Sequence, residues 1–289
     1  MLFLLIASCI WACSFSVIKG HLTGLDPVLV AFLRLLITFP IFLAMTRFCG
    51  LNCKKIFYLL VLGGIQYGFM FSFYLLTYQY LEAHQIVLLD LTTPIYVLIL
   101  YNLWNKKFSW APLLMVLVSV VGAGIALYKP GLSLPIISKG FVCMQLANAC
   151  FACGQVMYRR FSLQHPHVHH HQIFGFILLG GLMVTALNAT LHNAWSHLSL
   201  VNTTQIYALL YVGILSSGLA FLCWNKGSVQ CKPTTLAVCN NLKIPLGVLA
   251  AHLFLGEEIM WVRFCIGGSL LLSIIIIVEL TQLGQGQEN

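Results

Sequence analysis

The sequence predicts an all-α integral membrane protein whose ten transmembrane helices form two inverted five-helix repeats. Hydrophobic residues make up 60% of the 289 positions, and charged residues only 8%. A soluble chain of this length could not keep its surface hydrated with so few charges. Apolar windows of about 20 residues, the length that crosses a bilayer, recur ten times. A fixed offset also relates the second half of the chain to the first.

The apolar windows define the predicted spans, and their short connections leave no room for a separate soluble domain. The spans are residues 2–18, 28–46, 56–80, 84–104, 111–128, 140–157, 173–191, 205–225, 234–255 and 259–280. The first span has no basic segment ahead of it and no small-residue cleavage site, so we expect it to be retained as a helix. Residues 282–289 form a polar tail.

The chain is expected to contain one structural unit written twice. The pairs Pro94 and Pro245, Gln79 and Gln230, and Trp110 and Trp261 are each separated by 151 residues. This offset assigns five spans to each repeat, 1–133 and 134–281, and an odd number of spans inverts the second copy. Inverted repeats are typical of secondary transporters, which bind substrate near the bilayer midplane. Each proline removes a helix hydrogen bond, so Pro94 and Pro245 are the predicted gates.

The distribution of basic residues predicts the orientation of the chain. With the N-terminus in the cytoplasm, the inner loops hold nine basic residues, and the outer loops hold four. The inner ones are Arg47, Lys54, Lys55, Lys106, Lys107, Arg159, Arg160, Lys226 and Lys232, and the outer ones are Lys19, Lys129, Lys139 and Arg263. Since cytoplasmic loops carry the excess of basic residues, both termini are predicted to be cytoplasmic.

Asp90 and Lys243 are the ionisable residues expected nearest the middle of the bilayer. In the repeat alignment, Asp90 matches Asn241 and Lys243 matches Thr92, so both stand about one turn before a proline. A charge at this depth costs about 2.5–3.5 kcal/mol on insertion scales. The pair could bind a zwitterionic substrate, with Asp90 as a protonatable coupling group. Alternatively, it could form a structural salt bridge between the halves.

Arg34 lies five or six residues into the second span. We expect its long side chain to reach the outer interface, where the guanidinium would stay hydrated. The alternative role is a counter-charge for an anionic substrate.

Buried amides form a second group of candidate substrate-binding residues. Gln145, Asn148 and Gln155 share one stripe of the sixth span, and Asn240 lies one turn before Lys243. Amides on one face of a lipid-buried helix point inward. They could line a cavity or bond one helix to another.

Aromatic residues supply the remaining candidate contacts. They are Tyr67, Phe71, Tyr74 and Tyr78 on one face of the third span, Trp11 in the first span and Trp224 in the eighth. These rings could stack on a substrate, although such a stripe more often packs against other helices or forms an interfacial belt.

Composition also argues against several other kinds of chemistry. The net charge of +8 comes from residues between spans, so no nucleic-acid partner is expected. The eleven cysteines lie mostly inside apolar spans and lack the spacing of a zinc site. Five histidines between His165 and His171 could bind metal, but a solvated loop is the preferred interpretation. We therefore predict no metal, no other cofactor and, since nucleophile and phosphate-loop motifs are absent, no enzyme.

The order of short motifs along the whole chain resembles the EamA family of the drug/metabolite transporter superfamily. The first span carries Trp11-Ala-Cys-Ser-Phe-Ser-Val-Ile-Lys19, and the second begins between Pro27 and Arg34. The resemblance is clearest from Gly213 to Ile277, where a Gly-Ile-Leu-Ser-Ser-Gly-Leu-Ala helix precedes Pro233-Thr-Thr, Pro245, Leu253-Phe-Leu-Gly-Glu257 and Gly267-Gly268. The first half departs from the pattern at Lys106-Lys107, which lacks a counterpart of Glu257.

The resemblance implies a carrier of small metabolites in a bacterial inner membrane. We expect transport by alternating access. The expected substrate is an amino acid or a derivative of one, a class that includes S-adenosylmethionine-like compounds. A proton is a candidate coupling ion. A flippase for lipid-linked groups and a non-transporting membrane accessory subunit are the competing hypotheses. The substrate, the direction of transport, the coupling ion and the oligomeric state do not follow from the sequence.

Overall fold

The computed structural model describes residues 2–48, 50–90, 92–104 and 134–230, together with scattered positions between 247 and 273. Every regular element in these ranges is helical. We number the helices α1 (Leu2–Leu22), α2 (Pro27–Leu43), α3 (Cys53–Thr77), α4 (Ala83–Asp90), α5 (Thr93–Trp104), α6 (Leu134–Gln164), α7 (His170–Leu191) and α8 (Thr203–Gln230). A short 3-10 helix, Ala194–Leu200, lies between α7 and α8.

These helices match seven of the ten predicted spans. Five described helices are long and apolar enough to cross a membrane, namely α1, α3, α6, α7 and α8, and α2 is slightly shorter with 17 residues. Helices α4 and α5 together occupy the fourth predicted span. The fifth span and most of the ninth and tenth lie outside the described residues, so the ten-helix inverted repeat stays a prediction.

Side-chain caps explain where several helices begin. Asp26 Oδ1 accepts hydrogen bonds from the backbone N–H groups of Val28 and Leu29 at 2.8 and 3.2 Å, which satisfies donors that have no partner within α2. Asn202 and Gln205 form a reciprocal capping box at the start of α8. These caps agree with the predicted starts of the second and eighth spans to within a few residues.

The fourth span is broken rather than continuous. Helix α4 ends at Asp90 and α5 begins at Thr93, with Pro94 as its second residue. A proline is tolerated in the first turn of a helix, where its missing N–H would have no partner anyway. The predicted distortion near Pro94 is therefore a break between two helices, with Thr92 in a turn just before α5.

Glycines allow α7 to pack directly against α3. A Cβ at Gly63 would overlap the carbonyl oxygen of Ile177, and one at Gly180 would overlap the carbonyl oxygen of Leu60. Without a hydrophobic driving force between helices in lipid, close backbone approach of this kind is a main source of association. Helix α7 also packs on α2, so it fixes the positions of both helices.

Replacing Gly180 with alanine should destabilise the protein, because the new methyl group must push α3 and α7 apart. Overpacking costs about 1–3 kcal/mol, so we expect a clear fall in the unfolding temperature of the detergent-solubilised protein. Gly24→Ala is the matched control, since a Cβ at Gly24 has only the end of Gln205 nearby, at 3.9 Å. Equal unfolding temperatures for the two variants would contradict the close α3–α7 packing.

Candidate functional site

Three of the described helices contain π-helical segments, and two of these segments bury polar residues in the interior of the bundle. The segments are Ile18–Leu22 in α1, Gly64–Phe69 in α3 and Tyr211–Ala220 in α8. A π turn changes which side chains face inward, and such turns occur frequently at functional sites. In α3 the segment buries both Gln66 and Tyr67, and in α8 it buries both Ser216 and Ser217.

Five aromatic side chains from four helices meet beside these segments. This aromatic cluster comprises Trp11, Tyr67, Phe151, Phe221 and Trp224, all at most 8% exposed. The Trp11 ring lies 5.0 Å from Phe221, 5.1 Å from Trp224 and 6.0 Å from Phe151, and the Tyr67 ring lies 4.6 Å from Phe221. The predicted candidates Trp11, Tyr67 and Trp224 are thus brought together.

Polar atoms without hydrogen-bond partners surround the aromatic cluster. Among the described residues, they are both amide atoms of Gln66, Nε1 of Trp224 and Oδ1 of Asn225. Gln66 is fully buried, and its side chain lies across Gly154, where a Cβ would overlap it. An unpaired buried polar group costs about 1–3 kcal/mol. The interior therefore offers both donors and acceptors to a molecule that enters it.

Trp11 differs from Trp224 because its indole N–H is bonded. Trp11 Nε1 donates to the carbonyl oxygen of Ser216 at 3.1 Å. Asn225 Nδ2 makes only a long contact of 3.4 Å with the Tyr67 hydroxyl. The side chains of Trp224 and Asn225 consequently keep one free polar atom each.

Arg34 lies inside the bundle rather than at the outer interface, so the prediction that it reaches the interface is wrong. Its side chain is 1% exposed because this face of α2 packs on the π-helical segment of α8. Nε donates to Ser217 Oγ at 2.8 Å and Nη2 to Ser216 Oγ at 3.4 Å, and the guanidinium lies 3.8 Å from the centre of the Phe71 ring. Nη1 has no hydrogen-bond partner.

Asp90 lies at the break in the fourth span, buried at 8% exposure. Its Oδ1 accepts a hydrogen bond from Thr93 Oγ1 at 3.1 Å. The proposed partner Lys243 lies outside the described residues, as do Asn240 and Pro245. The charge pair between the two halves therefore stays a prediction.

The amides of α6 bind the interrupted helix. Asn148 Nδ2 donates to the Leu89 carbonyl at 3.0 Å and lies 2.9 Å from Thr92 Oγ1. Gln145 Oε1 accepts from Thr92 Oγ1 at 2.8 Å and from the Tyr96 hydroxyl at 3.0 Å. These bonds supply a donor to the Leu89 carbonyl at the end of α4 and partners to the Thr92 and Tyr96 hydroxyls. Gln145 Nε2 remains without a partner.

The aromatic stripe of α3 points into the bundle as its spacing predicts. Beyond Tyr67 and Phe71, the hydroxyls of Tyr74 and Tyr78 are 2.6 Å apart and form a hydrogen bond with each other. Both hydroxyls lie near enough to Arg34 and Asp90 to interact with them electrostatically.

Comparison with known proteins decides the family of the chain. The model of the EamA-like transporter family matches residues 1–128 and 138–279. The chain belongs to the EamA-like transporter family. This family is one of transporters, and membership supports a carrier of small metabolites.

Characterised relatives of this EamA-like transporter are bacterial. A probable biotin transporter of Pseudomonas aeruginosa is 32% identical over 275 residues, covering 94% of this chain and 95% of the relative. Biotin transporters of Salmonella typhimurium and Escherichia coli K12 are 29% and 28% identical over 280 residues, covering 94% of this chain and 91% of each relative. These relatives and the apolar helices support a multi-pass protein of the inner membrane.

A solved crystal structure shares the fold of the chain. It aligns over 96% of this chain and 98% of its own length, with a TM-score of 0.63 and 17% sequence identity. At this identity, the likeness concerns the fold alone.

Gln66→Met should leave the unfolding temperature in detergent unchanged or raise it, because the replacement removes two unpaired polar atoms and keeps the volume. Asn148→Leu is the contrasting variant. It removes the Nδ2 group that donates to the Leu89 carbonyl, which still accepts from Thr92, and the lost hydrogen bond should destabilise the protein by about 0.5–1.5 kcal/mol. If Gln66→Met were as unstable as Asn148→Leu, the Gln66 amide would have to be bonded in the folded protein.

Proposed function

We propose that this chain carries biotin across the inner membrane by alternating access. The observation that carries the proposal is the aromatic cluster with unpaired donors and acceptors at its edge. The names of three relatives support the same substrate. They do not support the amino acid or S-adenosylmethionine-like substrate that the sequence analysis expected.

The chemical groups of biotin suit this part of the bundle. Its fused rings combine an apolar thioether with a urea group, which has two N–H donors and one carbonyl acceptor. Aromatic walls favour the thioether through sulfur–ring contacts. The Gln66 amide can both accept from an N–H and donate to the carbonyl, while Trp224 Nε1 adds a donor and Asn225 Oδ1 an acceptor. Small-molecule sites commonly combine apolar walls with a few convergent polar groups in this way.

The predicted inverted repeat is part of the proposal. Separate matches of the family model to residues 1–128 and 138–279 support two halves, 1–133 and 134–281, that rock about the site. The break beside Pro94, and its counterpart at Pro245, would serve as gates. Asp90 would be the group that takes up a coupling proton.

Contacts at the outer end of the bundle support a gate there. Lys19 Nζ, at the end of α1, donates to the carbonyl oxygens of Tyr78 and Leu81 at 3.3 and 3.0 Å. It also lies 3.5 Å from the Glu82 carboxylate. These contacts join α1 to the turn between α3 and α4. Opening of the outer side would require them to break.

Uptake of radiolabelled biotin by cells that lack biotin synthesis and uptake of their own tests the proposal. The wild-type chain should restore uptake, and Trp11→Ala should reduce it by about tenfold, equivalent to about 1.4 kcal/mol of lost interaction. Trp195→Ala is the matched control, since Trp195 is 38% exposed in the 3-10 helix and should be dispensable. Amino acid uptake in place of biotin uptake would reject biotin as the substrate.

Thiol labelling of intact cells tests the cytoplasmic location of both termini. With this orientation, the α7–α8 connection faces outward and the α6–α7 connection faces the cytoplasm. A membrane-impermeant reagent should therefore label Ser196→Cys in intact cells, and His167→Cys only after permeabilisation. Both positions are exposed, and the chain without an added cysteine gives the background. The reverse labelling pattern would place the termini outside.

A further inference from the structure

We propose that Arg34 binds the carboxylate of the transported molecule and so makes the carrier selective for a free acid. The inference rests on the proposed function, because biotin carries a carboxylate at the end of a flexible chain, away from its fused rings. It gives Arg34 the alternative of its two expected roles, that of a counter-charge for an anionic substrate.

Arg34 is a charged residue buried inside the bundle. A guanidinium stays charged at any physiological pH, and at 1% exposure it has almost no contact with solvent. The ion pairs within the described part of the chain join Lys19 to Glu82 and His197 to Asp26, and neither involves Arg34. Arg34 contacts two serine hydroxyls and one phenyl ring there, and the Tyr74 and Tyr78 hydroxyls lie near enough to interact with it electrostatically.

The contacts of Arg34 fix the orientation of its guanidinium. Ser217 and Ser216 hold Nε and Nη2, and Phe71 covers one face of the group. Among the residues that the structure describes, Nη1 has no hydrogen-bond partner. A guanidinium fixed in this way has a pre-organised donor for an oxygen anion, and carboxylates are the anions that fit its geometry well.

Arg34 lies next to the aromatic cluster. Ser216 contacts both sites, since its hydroxyl accepts from Arg34 and its carbonyl oxygen accepts from Trp11 Nε1. Phe71 also links them, because its ring lies 5.7 Å from Phe221 and 5.9 Å from Tyr67. One molecule with an apolar body and a terminal carboxylate could therefore occupy both.

Asp90 is the acidic residue that could pair with Arg34 in place of the carboxylate of a bound molecule. It acts on the same two hydroxyls as Arg34, those of Tyr74 and Tyr78. These tyrosines bond to each other at 2.6 Å, and within the described residues no ion pair joins Arg34 to Asp90. Within the described part of the chain the guanidinium is thus not held in an ion pair, and its Nη1 stays available to an entering anion.

Binding of biotin and biotinamide to the purified, detergent-solubilised protein tests the inference. Biotinamide keeps the rings and the chain but is neutral at the end. The wild-type protein should bind biotin at least about tenfold more tightly, because a desolvated charge pair contributes about 1.4 kcal/mol or more. Arg34→Met should bind the two compounds with similar affinity, and Arg34→Lys should recover part of the preference.

A second variant keeps the test valid if Arg34→Met does not fold. Ser217→Ala removes only the hydroxyl that orients Nε, so it should reduce the preference for biotin while retaining the charge. Equal binding of biotin and biotinamide by the wild-type protein, or an unchanged preference in Arg34→Met, would overturn the role of Arg34 and leave biotin as the substrate. A wild-type protein that binds neither compound would reject the proposed function and the inference with it.

Discussion

The whole structure depends on one constraint, which is that polar groups inside a lipid-embedded bundle must find partners within the protein. At the break in the fourth span most side-chain polar atoms are bonded, although Gln145 Nε2 has no partner among the described residues. There, Asn148 donates to the Leu89 carbonyl and Gln145 accepts from Thr92 and Tyr96. Around the aromatic cluster, the polar atoms of Gln66, Trp224 and Asn225 have no such partners. The contrast between the two regions distinguishes groups that hold helices together from groups available to a ligand.

The π-helical segments explain how so many polar residues reach the interior. The π turn at Gly64–Phe69 changes the direction of the side chains along α3, and Gln66 and Tyr67 within it are both buried. The corresponding segment of α8 buries Ser216 and Ser217 together. These hydroxyls then hold Arg34 from the neighbouring α2. Local helix geometry thereby creates the polar edge of an otherwise aromatic interior.

Much of the fold could be predicted from apolar windows, because a span is defined by its length and hydropathy. The inward stripe from Tyr67 to Tyr78 also follows from helical spacing. Gln66 and Ser216 could not be assigned in this way, since a π turn shifts the register without a clear sequence signal. The prediction that Arg34 reaches the outer interface is wrong for a different reason. The depth of a residue along its span does not indicate which neighbouring helix packs against it.

The most direct test of this account is an experimental structure of the protein determined with biotin bound. The account predicts that the fused rings lie against Trp11 and Trp224, the urea group contacts Gln66, and the carboxylate reaches Arg34. Biotin bound elsewhere, with the Gln66 amide still unpaired beside a filled aromatic interior, would contradict it.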